Sequence, residues 1–284
     1  MSEPKKPKLR REVKIKSPGG DIQSAVVYAD TMEELQLKVA GMRAKMAFER
    51  DIALQEHRKK QAEIYFPRKP FALELPSNGG VSIGLLGASR SGKTCVMKYL
   101  YKNYFSNRIG VMTTLSGQAE IYKDMSKKLI VDEEFHPQVL REMYLINHGT
   151  GNKYKFLFIM DDYNGGATKT NMEITRGLTI YRNSFIDFLY CNQDPTLMSS
   201  TGRGNLNYVC LFHFHTPQVI EKVIKMFLTG YFPTDMKMSE KIQLYDKMTQ
   251  DHQFFFLDNL QGKLYICKLT PEQMEIEASS SDED

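Results

Sequence analysis

The sequence predicts an α/β fold: a mostly parallel sheet with helices on both faces, preceded by one long amino-terminal helix. Three observations predict it. From Val81 to Cys267, short apolar runs alternate with stretches of helical periodicity, the pattern of a sheet buried on both sides. The run Gly87-Ala88-Ser89-Arg90-Ser91-Gly92-Lys93-Thr94 directly follows the apolar stretch Val81 to Leu86, giving the strand, loop and helix order that a G-x-x-x-x-G-K-[ST] phosphate-binding loop requires. A second apolar run, Phe156 to Met160, ends in two carboxylates, Asp161 and Asp162.

Taken in order, residues 1–22 are polar with a basic cluster from Lys5 to Arg11 and are expected to be a disordered tail. Such a cluster suits a nuclear-localisation signal, a nucleic-acid patch or a solvated tail equally. Thr31 and Glu34 form a capping box that opens a helical pattern running toward Ile64. Its charged surface reads as a packing or oligomerisation helix rather than a DNA-binding one. Pro67 and Pro70 mark a linker, so residues 23–70 make a helical extension and residues 71–270 the main domain. Strands are expected at Val81 to Leu86, Ile109 to Thr113, Lys128 to Val131, Phe156 to Met160, Phe185 to Cys191, Tyr208 to Phe214, Gln253 to Leu257 and Lys263 to Cys267. Helices are expected at Lys93 to Tyr104, Pro137 to Ile146, Asn171 to Tyr181, Gln218 to Leu228 and Glu240 to Thr249. Residues 271–284 are an acidic tail, rich in Ser, Asp and Glu toward its end.

The chain has 284 residues, long enough to bury a sizeable core. Its 38 basic and 34 acidic residues leave a net charge of +4, with 16 Lys and Arg against 10 Asp and Glu in residues 1–70. Four scattered cysteines without C-x-x-C spacing read as reduced thiols of an intracellular protein. No apolar run is long enough to span a bilayer, so a soluble protein is expected. His213 and His215 suggest no third metal ligand, and ordinary strand histidines are the expectation there.

The residues from Gly87 to Thr94 carry the first chemistry. Glycines let consecutive backbone N–H groups turn inward around phosphates, Lys93 brings a point charge, and the Thr94 hydroxyl can ligate Mg²⁺. ATP with Mg²⁺ is the expected ligand. Asp161 can complete the Mg²⁺ shell opposite Thr94, and Asp162 can orient or deprotonate the attacking water. Asp in that second position is one methylene shorter than the usual Glu. The two strands near Ile109 and Lys128 that intervene in sequence between loop and double Asp fit the additional-strand class of P-loop NTPases. No Asn-Lys-x-Asp guanine motif is present. Gln193, at the end of another apolar strand, can hydrogen-bond the attacking water or report the γ-phosphate. Arg203 and Arg182 are candidates for an arginine finger supplied across a subunit interface, and Arg90 for one acting in cis.

The order of these motifs, Gly87 to Thr94, Phe156 to Asp162, Tyr190-Cys191-Asn192-Gln193 and Arg203-x-Asn205, resembles the FtsK-HerA superfamily. Within it the compact size is similar to the poxvirus-type genome-packaging ATPases of large nucleocytoplasmic DNA viruses. The likeness spans about Val81 to Phe214 and departs at Arg182-Asn183, where many relatives carry Arg-His before the Gln strand. It implies a RecA-like core assembled as a homo-oligomeric ring, hydrolysing ATP at subunit interfaces and translocating double-stranded DNA into a capsid through capsid or portal partners. It implies a place inside the infected host, in a cytoplasmic virus factory, with the nucleus and the virion left open. Lys153 and Lys169, beside glycine-containing loops, are candidate pore contacts or ordinary surface lysines. Two other readings stand beside the motor: an ATP-gated assembly or adaptor protein whose nucleotide only stabilises a ring, and a small P-loop phosphotransferase, for which Arg176 and Arg182 make too sparse a lid.

Overall fold

The computed structural model describes residues 9–16, 22–115, 119–122, 125, 127–163 and 170–275. The chain divides into two compact units, Met1–Tyr65 and Phe66–Asp284.

The first unit begins with an antiparallel hairpin of β1 (Leu9–Lys16) and β2 (Ile22–Ala29), with Leu9 opposite Ala29 and Lys16 opposite Ile22. The sequence reading placed a disordered tail through Ile22. The difference has a physical cause: Val13 of β1 and the alternate residues Ala25, Val27 and Ala29 of β2 pack against α1 (Met32–Tyr65) at Leu35, Val39, Met42 and Met46. Charged neighbours in β1 masked that alternation. The expected capping box is present, with Thr31 Oγ1 accepting the Glu34 N–H at 3.2 Å and Glu34 Oε2 accepting the Asp30 N–H at 3.1 Å.

The second unit is an eight-stranded sheet of β3 (Ser82–Leu86), β4 (Ile109–Thr113), β5 (Leu129–Asp132), β6 (Phe156–Asp161), β7 (Ile186–Asn192), β8 (Tyr208–Leu211), β9 (Phe254–Asp258) and β10 (Lys263–Cys267), in the order β10-β9-β8-β3-β7-β6-β4-β5. The six strands from β8 to β5 run parallel, and β9 pairs antiparallel with both β8 and β10. Every residue of β3, β6 and β7 is buried, which explains their unbroken apolar runs. The helices are α2 (Lys93–Leu100), α3 (Pro137–Gly149), α4 (Met172–Thr179), α5 (Ser200–Gly204), α6 (Pro217–Val223), α7 (Met238–Met248) and α8 (Pro271–Glu275). Both α2 and α6 run on into π turns, Tyr101–Phe105 and Ile224–Leu228.

The strand that separates β3 from β6 in space is β7. The strands near Ile109 and Lys128, on which the additional-strand assignment leaned, are β4 and β5 and lie beyond β6. The class stands, because a strand does intervene, but it is β7, the strand that Gln193 directly follows.

The expected linker up to Pro70 also differs. From Phe66 onward the chain belongs to the second unit: Phe66 packs edge-on to Phe232 and Phe255, and Phe71 to Phe254 and Phe256. Two fully buried phenylalanines outweigh the loop tendency of the prolines beside them. Residues 1–8 and 276–284, which hold most of the basic cluster and of the acidic tail, lie outside the described residues, as does Lys169. No helix among the described residues is long and apolar enough to cross a membrane.

Candidate active site

In a parallel sheet the loops that follow strands gather at one edge, and here that edge gathers the chemistry. The loop after β3 is suspended between its two neighbours: the Gly87 N–H donates to the Asn192 carbonyl at the end of β7 at 3.2 Å, and the Ala88 N–H to the His213 carbonyl beyond β8 at 2.9 Å. Gly87 has no room for a side chain, since a Cβ there would lie 2.5 Å from Phe212 Cβ. Gly92, at the start of α2, has φ +103°, a conformation that glycine adopts without cost. Lys93 is buried and donates to the Gly87 and Ala88 carbonyls, each at 2.9 Å. Those carbonyls hold the ammonium at the mouth of the loop.

The acidic side is supplied by β6. Asp161 is buried and accepts a hydrogen bond from the Tyr122 hydroxyl. Tyr122 comes from a single 3₁₀ turn, Ala119–Tyr122, between β4 and β5, and no motif marks it in the sequence. Burial drives the Asp161 carboxyl up to about 6, with the neighbouring Asp162 charge adding to the rise and the Tyr122 bond and Lys93 opposing it. The Tyr122 hydroxyl is itself pushed up, first by burial and then by the Asp161 charge, with a hydrogen bond to Thr94 working the other way. Tyr122 thus sits between the two groups expected to hold Mg²⁺.

Asp162 lies just past the strand end with φ +47°, and its N–H is held by the Cys191 carbonyl at 2.9 Å. Its Oδ2 accepts the Gln193 amide at 2.9 Å, while Oδ1 is buried without a hydrogen-bond partner among the described residues. One carboxylate oxygen is therefore occupied and oriented, and the other keeps its lone pairs for a proton donor.

These groups share one cavity of 540 Å³, whose walls include Ser89, Arg90, Gly92, Lys93, Thr94, Tyr122, Asp161, Asp162 and Gln193. A second, of 710 Å³, adjoins it on the β8 side; it shares Ser89, Arg90, His252 and Lys268, and adds Ser91, His213, His215 and Thr249. The His252 ring lies against the loop, with its Nδ1 3.6 Å from where a Cβ on Gly92 would be. It is held there by two consecutive left-handed residues, Asp251 at φ +55° and His252 at φ +59°. His252 and Lys268 are site residues that the motifs did not indicate, because they precede and follow the antiparallel pair β9 and β10.

The donor set suits Mg²⁺: Thr94 offers a hydroxyl and Asp161 a carboxylate whose burial is unfavourable without a cation nearby. Thr94 and Asp161 would hold the ion, which would supply positive charge against the phosphates.

Arg182 and Arg203 do not join this cavity within one chain. Arg182 follows α4 and precedes β7, at the opposite edge of the sheet, where its Nη1 donates to the Asn205 carbonyl at 3.0 Å and Asn207 Oδ1 at 3.4 Å. Arg203, on α5, donates to the Met198 carbonyl at 2.5 Å. Arg90 is exposed in the loop itself, with φ +59°. Lys153 is exposed just before β6, also at the far edge.

The raised Asp161 carboxyl has a testable consequence. Its folded value, about 6, exceeds the ordinary 3.8, so the nucleotide-free protein loses stability as pH rises from 4 to 6 and carries the whole penalty above that. The penalty is on the order of 3 kcal/mol. Without Mg²⁺ or nucleotide, Asp161→Asn should melt above the parent at pH 8, with the gap closing toward pH 4. A gap that does not change with pH would show that buried charge is not its cause.

Fold and site together define a RecA-like P-loop fold. No family model matches the sequence, and no curated protein matches it. Among solved structures, the pCW3 conjugation coupling protein TcpA, in its monomer form with ATPγS, is similar with a TM-score of 0.51 and 13% identity over 68% of this chain and 61% of that one. The genome-packaging NTPase B204 of Sulfolobus turreted icosahedral virus 2, in complex with AMP, gives a TM-score of 0.49 and 15% identity over 68% of this chain and 99% of that one. EssC (ATPases 2 and 3) from Geobacillus thermodenitrificans gives 0.47 and 9% over 66% and 39%. The fold shared with TcpA is the fold expected from the FtsK-HerA resemblance.

Proposed function

We propose that this chain is an ATPase of the FtsK-HerA type that hydrolyses ATP to ADP and phosphate and uses the cycle to drive double-stranded DNA through a homo-oligomeric ring, packaging a viral genome into a capsid. The observation that carries the hydrolytic part is the Gln193 to Asp162 hydrogen bond of 2.9 Å, made across two neighbouring strand ends that face the phosphate loop. It leaves Asp162 Oδ1 to take a proton from the attacking water while Gln193 fixes the carboxylate's orientation. Lys93 exchanges its loop carbonyls for phosphate oxygens, and Thr94 and Asp161 hold the cation. With the chain's own Arg182 and Arg203 outside the cavity, a neighbouring subunit would supply any second arginine in the ring. The order of the four motifs and the fold shared with a conjugation coupling protein support the translocating part. Capsid or portal partners and a place in the infected cell follow from the same reading.

Steady-state ATP hydrolysis by the full chain, with and without long double-stranded DNA at low salt, tests this reading, because any phosphate grip weakens as salt rises. Stimulation by DNA is expected. Basal hydrolysis that DNA leaves unchanged would favour the adaptor or phosphotransferase reading.

The nucleoside half of ATP is proposed to lie in the second cavity, since the acidic groups that act on the terminal phosphate occupy the opposite side of the loop. His252 offers its ring to the base. His252→Ala should weaken ATP binding about 5- to 150-fold, the worth of one base stacked on an aromatic ring, and leave inorganic tripolyphosphate binding unchanged. Equal losses for both ligands would place the base elsewhere.

A further inference from the structure

We infer, on the reading that Thr94 and Asp161 hold the cation, that Tyr122 is a displaceable plug of that site: its hydroxyl occupies the space between the two and must leave for Mg²⁺ to bind. Thr94 lies in the first turn of α2, and Asp161 closes β6. The Tyr122 hydroxyl meets both, donating to Asp161 Oδ2 and hydrogen-bonding Thr94. An ion about 2.1 Å from the Thr94 hydroxyl oxygen and from a carboxylate oxygen lies between them, in the place taken by the phenol oxygen. The direction of the bond matters. A phenol that donates turns the positive end of its O–H toward Oδ2, so it competes with a cation for the carboxylate instead of helping to hold one.

Asp161 does not need that hydroxyl to be placed. It ends a strand paired on both sides, with β4 and with β7, and is itself in register with Cys191. The next residue, Asp162, is tied to the Cys191 carbonyl by its N–H. Tyr122 is held differently. It ends a single 3₁₀ turn of four residues, and its carbonyl accepts the Met125 N–H at 3.1 Å. Its ring is buried in the core cluster, yet the residue before it, Ile121, is 53% exposed and lines the cavity. A short turn with one buried anchor moves at less cost than the end of a strand bonded on both edges. Of the three groups, the hydroxyl is the one that yields.

Mn²⁺ binding to Tyr122→Phe tests this. The substitution removes only the hydroxyl and keeps a ring for the core, and cooperative melting of the full chain checks that it folds. Mn²⁺ suits the same oxygen ligands as Mg²⁺ and is counted by its electron paramagnetic resonance signal. Titrated in the presence of ADP, the variant is expected to bind Mn²⁺ about 10- to 100-fold more tightly than the parent, the worth of one hydrogen bond to a charged group. A side chain that only supported the site would weaken the ion when truncated. In an Asp161→Asn background, removing the hydroxyl should change Mn²⁺ affinity by less than about 3-fold, because no carboxylate is left to contest. A second measurement needs no variant: in the parent, the Met125 amide should exchange with deuterium faster once Mn²⁺ and ADP are present.

Equal or weaker Mn²⁺ binding by Tyr122→Phe, a full gain that persists in Asp161→Asn, or Met125 exchange that stays the same or slows would each overturn the plug and leave the cation assignment standing. Mn²⁺ bound by neither parent nor variant would overturn both together. None of these readouts requires ATP turnover.

Discussion

Lys93→Ala is expected to remove nucleotide binding and lower ATP turnover by at least about 10²- to 10³-fold, the cost of losing one preorganised charge at a developing anion. In the nucleotide-free protein the Lys93 ammonium is buried and neutralises the dipoles of the Gly87 and Ala88 carbonyls. In the proposed binding mode it is already at the mouth of the loop, so little reorganisation would accompany binding. Two measurements separate a binding loss from a folding loss. The parent should melt about 5–10 °C higher at a nucleotide concentration of 100 Kd, from the linkage of binding to folding. The variant should fold with a cooperative transition of its own and show none of that rise. A variant that still gains the full shift would show that the loop N–H groups, not the ammonium, dominate affinity.

Asp162→Asn is expected to keep nucleotide affinity and reduce hydrolysis by about 10²- to 10⁴-fold, the contribution of a positioned general base. The substitution suits the site physically. Asparagine is among the few residues that tolerate the left-handed φ of +47° found here, and its side-chain oxygen can still accept the Gln193 amide. What disappears is the capacity of Oδ1 to take a proton. Binding of ATPγS and single-turnover hydrolysis, measured on the same preparation, test the separation. Hydrolysis at the parental rate would remove Asp162 from the proton path and leave Gln193 as an orienting group for water alone.

The part of the site that could be read in the sequence is the part built from residues that directly follow buried parallel strands. Gly87 to Thr94 follow β3, Asp162 follows β6, which ends at Asp161, and Gln193 follows β7. A continuous apolar run identifies such a strand, and direction then places its last residues at the carboxyl edge. The same rule places Arg182 outside the cavity of its own chain. It precedes β7, so it belongs to the amino edge, where it ties Asn205 and Asn207 beside the start of β3.

Tyr122, His252 and Lys268 were not legible because each reaches the cavity from a turn or an antiparallel strand, with no fixed spacing from the phosphate loop. The hairpin was hidden for a different reason. Two-residue periodicity over eight positions is a weak signal when four of the eight are Lys or Arg, as in β1. The fold-class assignment survived an incorrect step, because the number of strands between two motifs in sequence does not reveal which strand lies between them in space.

The position of β7 has a mechanical consequence. At its amino end, Asp187 accepts the Val81 N–H at 2.9 Å and the Arg108 Nε at 2.9 Å, both ion-pair side chains being largely sheltered from water. At its carboxyl end, the Asn192 and Cys191 carbonyls hold Gly87 and Asp162. The strand is therefore a spacer clamped at both ends, fixing the separation between Gly87 of the loop and Asp162. In the motor proposed above, such a block would not generate displacement by spreading its sheet. There the stroke would be taken up by segments hinged beyond the strand ends, or by one subunit tilting against the next, with the block around β7 moving as a single piece.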